Sequence, residues 1–295
     1  MKSKILNYAF KPGLPQEFEI IEMDQLYREF SETLTKPHRT GFYHILWFQS
    51  GNPVHLVDFN PVQVEPDTVI FLNKDTVHKF DDQGNFNGKV ILFTENFFIR
   101  TEADVKYLRS NVLFNDLFAE SRISLKDVKS MFEQTIKLIE AELLNPGSLL
   151  QSEIIKNLLH TLLLLSERER KEQNLEEEKR GADLDYVILF KDQVQQNYKK
   201  LKTVSSYAEN LSVTERRLNT ATSKVLGKTP KQLIDDRVML EAKRLLAHTS
   251  NSVKEIGFDL GFDEPTNFIK YFKKHHDVTP VEFRESFNSR SKINL

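Results

Sequence analysis

The spacing of apolar residues in this chain changes twice, and the changes divide it into parts. Between residues 18 and 94 hydrophobic residues come in short runs: FYHILWFQ, HLVDF, VQVE, TVIFLN, VHKF and KVILFT. These runs are rich in β-branched and aromatic side chains. Turn-forming stretches separate them: Ser50-Gly51-Asn52-Pro53, Glu65-Pro66-Asp67 and Asp81-Asp82-Gln83-Gly84. Many short strands at regular spacing predict a sandwich or a small barrel. From about Ala103 the period lengthens. Val128, Phe132, Thr135, Ile136, Ile139 and Leu143 recur at helical spacing. After the turn Asn145-Pro146-Gly147-Ser148, a second helix carries Ile154, Ile155, Leu158, Leu159, Leu162 and Leu163 on its apolar side. The two predict an antiparallel helical hairpin. Its leucine stripe can pack on the strands or serve a second subunit. Because Ile155, Leu158, Leu159, Leu162 and Leu163 are more apolar than a covering helix requires, we expect them to form a two-fold interface. Residues 167–182, ERERKEQNLEEEKRGA, are almost devoid of apolar side chains and read as a solvated linker. The expected domains are therefore 1–166 and 183–295.

The last third then says nearly the same thing twice. VSSYAENLSVTERRLNTATSKVLGKTP from Val204 and VKEIGFDLGFDEPTNFIKYFKKHHDVTP from Val253 are two copies of one pattern. Ala208 matches Gly257, Leu211 matches Leu260, Val213 matches Phe262, Leu218 matches Phe268, and Thr229-Pro230 matches Thr279-Pro280. Each copy is two short helical patterns around a tight turn, with a small residue in the first helix where a crossing helix must approach. That is how a helix-turn-helix reads. Between the copies lies QLIDDRVMLEAKRLLAHT, one long helix with Ile234, Val238, Ala242 and Leu245 on its apolar face and Asp235, Lys243 and Arg244 off it. It sets the distance between the two units.

The second helix of each copy has suitable chemistry for reading base edges. In the first copy Thr214 is the expected N-cap, and Leu218, Thr222 and Val225 face the core. Arg216, Arg217, Asn219, Thr220, Ser223 and Lys224 then lie outward or on the flanks. Arg suits guanine, Asn suits adenine and Thr suits either. In the second copy the helix starts near Glu264, with Asp263 as N-cap and Pro265 in the first turn. Phe268, Phe272, His275 and His276 add bulk, and Thr266, Ile269, Lys270, Lys273 and Lys274 are available to bases or phosphates. The charge balance agrees. Residues 183–295 hold 19 Lys and Arg against 15 Asp and Glu, whereas residues 1–182 hold 22 against 28. A basic terminal domain on an acidic body fits a reader of double-stranded DNA.

The segment from about Tyr186 to Arg284 resembles the DNA-binding domain of the AraC/XylS family of bacterial transcription regulators. SSYAENLSVTERRLN, GKTPKQLIDDRVMLEAKRLL, VKEIGFDLGFDEPTNFIKYFKKH and DVTPVEFR carry the resemblance. It implies base-facing positions at Arg216, Asn219 and Thr220 in one helix and at Thr266, Ile269 and Lys270 in the other. Arg237 and Arg284 match positions the family fills with Arg, read here as structural or phosphate-contacting. Two residues depart from the pattern. Asp277 stands where many members have glycine, and Asp tolerates the left-handed turn. Thr222 stands where the family has Phe and leaves the first unit less well filled. The run PHRTGFYHILWFQSGNPVHLVDFNPVQVEPDTVIFLNKDTVHKF resembles, more loosely, the cupin-like sensory domain of such regulators. The implied fold class is α+β: a cupin-like β-barrel with a helical hairpin, then an all-α domain with two helix-turn-helix units.

His38, His44, His55 and His78 fall close together in the sequence. Metal-binding cupins carry an HxH pair followed by a Glu, and here that place reads His38-Arg39-Thr40. We therefore expect no metal and no cofactor, and a small organic effector instead, with His38, Tyr43, Trp47 and His78 as candidate contacts. The chain has no cysteine, so disulfides and thiolate metal sites are excluded. Leu158 to Leu165 is too short to cross a bilayer, and MKSKILNYAF has no apolar run of signal-peptide length. A cytoplasmic homodimeric regulator is expected, without enzyme activity or membrane contact, touching RNA polymerase if it activates. A cupin-type metalloenzyme with an accessory DNA-binding domain is the alternative. A non-specific architectural DNA protein is a third reading.

Overall fold

The computed structural model describes residues 6–8, 17–74, 76–115, 121–125, 127–145, 148–173 and 182–293. The described residues form two compact units, 6–173 and 182–293. In order, the first holds β1 (Leu6–Tyr8), β2 (Phe18–Glu22), α1 (Met23–Leu34), β3 (His38–Thr40), β4 (Tyr43–Gly51), β5 (Val54–Val57), β6 (Asn60–Gln63), β7 (Thr68–Leu72), β8 (His78–Lys79), β9 (Phe86–Phe93), α2 (Glu95–Phe98), α3 (Glu102–Ser110), β10 (Arg122–Ser124), α4 (Lys129–Leu143) and α5 (Gln151–Gln173).

The strands make two five-stranded sheets, ordered β1-β3-β8-β5-β6 and β10-β7-β4-β9-β2. The expected barrel is therefore not closed: among the described residues no ladder joins one sheet to the other. Closure needs free donors on the edges, and edge strand β6 carries Pro61, which has none. β4 lies between β7 and β9, antiparallel to both. Its side chains alternate across the sheet. Tyr43, Ile45 and Trp47 join a core with Phe132, Ile136, Ile155, Leu159, Leu162 and Leu163 from the hairpin helices. Leu46 and Phe48 join a second core with Val57 and Val62 from the other sheet and Phe80 just after β8. The central sheet is thus covered on both faces, so β4 and β7 read as continuous apolar runs.

The helical hairpin forms as the spacing predicts. α4 and α5 pack on each other, and Arg168 Nη2 near the end of α5 lies 3.7 Å from Met131 Sδ near the start of α4, so they run antiparallel. The leucine stripe, however, is core. Ile155, Leu159, Leu162 and Leu163 have no exposed surface, and Leu158 packs partly against the same cluster. The expected two-fold seam along these residues is ruled out, because their contacts are already made inside one chain. α5 also runs on to Gln173, seven residues into the stretch read as linker. Glu169 is buried there, as is Ser166 just before it, since an otherwise polar segment can still present one small or hydrogen-bonded side chain per turn to the interior. The remaining linker residues 174–181 lie outside the described residues, as do Pro146 and Gly147 of the hairpin turn.

The second unit is all helix: α6 (Ala182–Asn197), α7 (Val204–Asn210), α8 (Glu215–Leu226), α9 (Pro230–His248), α10 (Val253–Asp259), α11 (Pro265–His276) and α12 (Pro280–Ile293). Phe190, Tyr207, Leu218, Ile234, Val238, Leu245, Ile256, Phe268 and Phe272 share one core. Burying each large apolar side chain contributes about 1.5–3 kcal/mol. Polar residues at helix starts decide where the helices begin. Thr203, Thr214 and Thr229 each accept a backbone N–H three residues on, as does Ser252. Gln232 and Glu255 return the bond to complete capping boxes.

Candidate nucleic-acid interface

The two helix-turn-helix units, α7–α8 and α10–α11, use the same backbone with different residues. Each turn needs one residue in the left-handed region. In the first unit it is Ser212, at φ 53°; in the second it is Gly261, at φ 78°. The recognition helices also end on a left-handed residue, Gly227 after α8 and Asp277 after α11. Glycine and non-glycine thus exchange places between copies, and Asp277 keeps its turn as expected. A Cβ on Gly257 would lie 3.1 Å from Phe268 Cβ, which explains the small residue where α10 crosses α11. Thr222 is fully buried where the second unit has Phe272. One expectation fails at the start of α11. The N-cap position is Glu264, with no side-chain cap, and Asp263 lies one residue outside it. Pro265 occupies the first helical position, where its missing N–H costs nothing.

Leu218, Ala221 and Thr222 turn α8 inward, which leaves Arg216, Asn219 and Thr220 exposed on its other side. The Thr220 hydroxyl donates to the Arg216 carbonyl at 2.9 Å, so its oxygen remains an acceptor facing solvent. On α11, Phe268 and Phe272 face inward, and Thr266, Ile269, Lys270, Lys273 and Lys274 are exposed. Among the described residues, Arg216, Lys270, Lys273 and Lys274 have no ion-pair partner. Arg217 and Lys224 differ. The Arg217 guanidinium bonds to the Asp183 carboxylate and lies over the Tyr186 ring at 4.6 Å. Lys224 donates to the other oxygen of Asp183 at 2.7 Å. The Lys224 ammonium first, and the Arg217 guanidinium second, hold the Asp183 carboxyl below the usual carboxylate range. Nothing local in the sequence marks Asp183, because its partners lie 34 and 41 residues away.

α9 fixes both units. Ile234, Val238, Ala242 and Leu245 are buried as expected. Asp235 and Arg244, expected off that face, are buried as well, because they sit in ion networks. Asp235 accepts from Tyr271 at 2.6 Å and bonds to Lys231, with His275 Nε2 3.6 Å away, so α11 is gripped from α9. Glu241 receives Arg237 at 3.3 Å and Arg244 at 3.2 Å. Arg237 is also bonded to Gln195 and stacked on Tyr198 at 3.8 Å. Arg284 donates to the Leu246 and Asn251 carbonyls. Both arginines therefore hold the fold. Lys202 donates to the Lys199 and Leu260 carbonyls and joins the loop before α7 to the end of α10. Its burial lowers its pKa to about 8.

In the first unit the four histidines do come together, all buried. The His38 and His78 ring centroids are 4.3 Å apart, His44 and His78 4.9 Å, and His55 and His78 5.3 Å. His55 Nε2 and His78 Nδ1 share a hydrogen bond of 3.2 Å, and His38 Nδ1 lies 3.0 Å from the Lys36 carbonyl. Burial keeps the rings neutral, pushing His44 and His55 down to about 3. Three ring nitrogens are buried without a hydrogen-bond partner: His44 Nδ1, His55 Nδ1 and His78 Nε2. Among the described residues no group of three or more His, Asp or Glu is arranged to hold a metal ion. The four candidate effector contacts do not converge. His38 and His78 lie in this cluster, whereas Tyr43 and Trp47 point to the opposite, helix-covered face of the central sheet. A groove of about 190 Å³ between β2 and α1, lined by Ile20, Glu22, Gln25, Glu29, Phe30 and Glu140 among others, is separate from both.

Two family models agree with this architecture. Residues 23–184 match the family model of the AraC-like ligand binding domain, and residues 207–286 match that of a helix-turn-helix domain. The lactose operon transcription activator of Staphylococcus xylosus is 28% identical over 56% of this chain, an alignment spanning 58% of that relative's length. The HTH-type transcriptional activator RhaS of Escherichia fergusonii is 21% identical over 84% of this chain and 87% of its own. Among solved structures, the C-terminal domain of the response regulator yesN from Fusobacterium nucleatum is 26% identical, covers 34% of this chain and 98% of its own, and has a TM-score of 0.32. No described helix is long and apolar enough to cross a membrane. With a ligand-binding domain matched over more than half the chain and two helix-turn-helix units behind it, this chain belongs to the AraC family of DNA-binding transcription regulators.

Proposed function

We propose that this protein binds a specific double-stranded DNA site with α8 and α11 in successive major grooves, and that a small molecule bound in the first unit controls it. The observation that carries the reading is the pair of exposed polar faces on equivalent helices, at Arg216, Asn219 and Thr220 and at Thr266, Ile269 and Lys270. These six are the base-reading positions. Lys273 and Lys274 serve phosphates, and Arg217 and Lys224 flank the first groove. α9 has 19 residues, about 28 Å of helix, and successive grooves on one face of B-DNA lie about 34 Å apart. Footprinting tests this directly: two protected patches one helical turn apart per subunit support it, and a single short patch overturns the use of both units.

In this reading residues 183–295 form the DNA-binding domain and residues 1–166 the sensory domain, with the connection between them. The effector binds beside His38, His44, His55 and His78, and the buried ring nitrogens His44 Nδ1, His55 Nδ1 and His78 Nε2, which lack a hydrogen-bond partner, favour a ligand with both donors and acceptors. Tyr43 and Trp47 shape the sheet behind it. The protein acts in the cytoplasm as a homodimer. Both relatives are named activators, which supports positive control and contact with RNA polymerase. Transcription from a purified promoter, with and without the protein, tests that point. The relatives are transcription regulators, which supports a role without enzyme activity.

A further inference from the structure

We propose that Asp183 is a built-in competitor for DNA phosphate, whose carboxylate holds Arg217 and Lys224 on the flank of α8 until a duplex displaces it. This inference rests on the reading of α8 as a groove-binding helix. Arg217 and Lys224 are two turns apart and share one side of α8, so a single carboxylate on α6 reaches both. The Asp183 side chain is seated, with 19% of its surface exposed, whereas that of Lys224 is 71% exposed. The ammonium is free to swing toward a phosphate, and the carboxylate is placed where it cannot follow. Arg217 is held more firmly, by Asp183 and by the Tyr186 ring together.

The second unit has no such clamp. The equivalent positions are Asn267 and Lys274, and Lys274 is exposed with no ion-pair partner among the described residues. Lys270 and Lys273 are equally open. The two recognition helices therefore meet DNA on different terms. α11 offers lysines that no ion pair holds among the described residues, although Glu282 lies close enough to Lys273 to feel its charge. α8 offers charge that is half-neutralised beforehand, so its engagement depends more on the base contacts of Arg216, Asn219 and Thr220. Asp183 weakens sequence-independent attraction at the first helix-turn-helix while leaving the base-reading face untouched, so it lowers affinity for every duplex by a similar factor. Exposed ion pairs are weak, so the effect is a bias on affinity and not a block.

The test uses the full chain, a duplex enriched from a random pool by the wild-type protein, and a mixed-sequence duplex. Affinities across a salt series are compared for wild type, Asp183→Asn and Asp185→Asn. The last removes the same charge from an exposed neighbour in the same turn. Asp183→Asn is expected to bind both duplexes about two- to fivefold more tightly, with the salt slope steeper by about one. Asp185→Asn should gain less. In a Lys224→Ala background the gain from Asp183→Asn should shrink, an outcome that altered packing of α6 would not produce. Thermal melting confirms that each variant is folded. If Asp183→Asn behaves like Asp185→Asn, or binds more weakly than wild type, this inference is overturned and the groove-helix reading stands. If the wild type binds neither duplex, both fall together.

Discussion

At the residue scale, local conformation and burial make two sharp statements. Gly261 and Gly227 both have positive φ, but only Gly261 is crowded: a Cβ there would lie 1.8 Å from the Lys199 carbonyl oxygen, while one on Gly227 would meet nothing within 4 Å. Gly227→Ala should therefore cost about 1 kcal/mol, the ordinary penalty of a left-handed residue. Gly261→Ala should cost at least about twice as much, because the backbone must move. Chemical denaturation of the two variants checks the difference, and equal costs would refute the crowding argument. The histidine cluster gives a pH dependence. Desolvation lowers His44 and His55 to about 3, and mutual repulsion among the imidazoles adds to it. Phe42, Phe48 and Phe80 pack against the rings, and the charges that face His44 and His55 are other histidines. The folded pKa lies below the unfolded value of about 6.5, so folding favours the neutral form. The stability it contributes is full above about pH 6.5 and is lost progressively as pH falls toward 3, at up to about 1.4 kcal/mol per pH unit for each group. The melting temperature of the first unit should drop between pH 7 and pH 5, and a flat profile over that interval would contradict the burial of these rings.

At the element scale, the repeat makes the second unit legible in the sequence, because each copy checks the other. Caps, turns and the small residue at 208 and 257 recur at fixed offsets, and the structure places them where the spacing requires except at the start of α11, where the N-cap is Glu264 and not Asp263. The exposed faces of α8 and α11 were legible for the same reason: inward Leu218 and Phe268 fix which residues point outward. What was hidden is held together by distant pairs. Asp183 with Arg217, and Asp235 with Tyr271, are 34 and 36 residues apart, and no local pattern announces them. The leucine stripe of α5 shows a different limit. Periodicity says that a face is apolar, but not what covers it. Here the central sheet does, through Ile45, Trp47 and Ile91. Leu159→Ala should accordingly destabilise the first unit by about 2–5 kcal/mol, and charged residues at 159 and 162 should unfold it instead of separating two subunits. Denaturation monitored by circular dichroism decides this, and a Leu159→Ala variant of wild-type stability would return the stripe to the surface. The open sandwich was equally out of reach, since strand spacing is the same whether or not edge strands meet.

At the scale of the whole molecule, the unit that matches a ligand-binding domain carries a polar cluster inside an apolar sandwich, and the other carries two helix-turn-helix units whose second helices differ in their ion pairing. With the leucine stripe buried, a proposed contact with a second copy can use exposed apolar residues on the other side of the hairpin. Met131, Leu138 and Leu164 are 49%, 57% and 50% exposed there. Seven residues separate Met131 from Leu138 on one face of α4, and Arg168, one turn beyond Leu164, touches Met131, so the three lie on one side. Replacing Leu138 and Leu164 with Glu should leave a folded monomer, read as mass by light scattering with circular dichroism alongside. A folded double mutant that remains dimeric would place the interface elsewhere.

The central claim is that α8 and α11 read bases in two neighbouring grooves. It is tested most directly by measuring how Arg216→Ala and Lys270→Ala change binding to an enriched duplex and to every single base-pair variant of it. Each substitution should cost about 1–3 kcal/mol on the enriched duplex and flatten the preference at a few base pairs only. The positions affected by the two should lie about one helical turn apart. If both variants weaken every duplex by the same factor and leave the preference profile intact, these residues contact only the backbone, and the assignment of the two recognition faces is wrong.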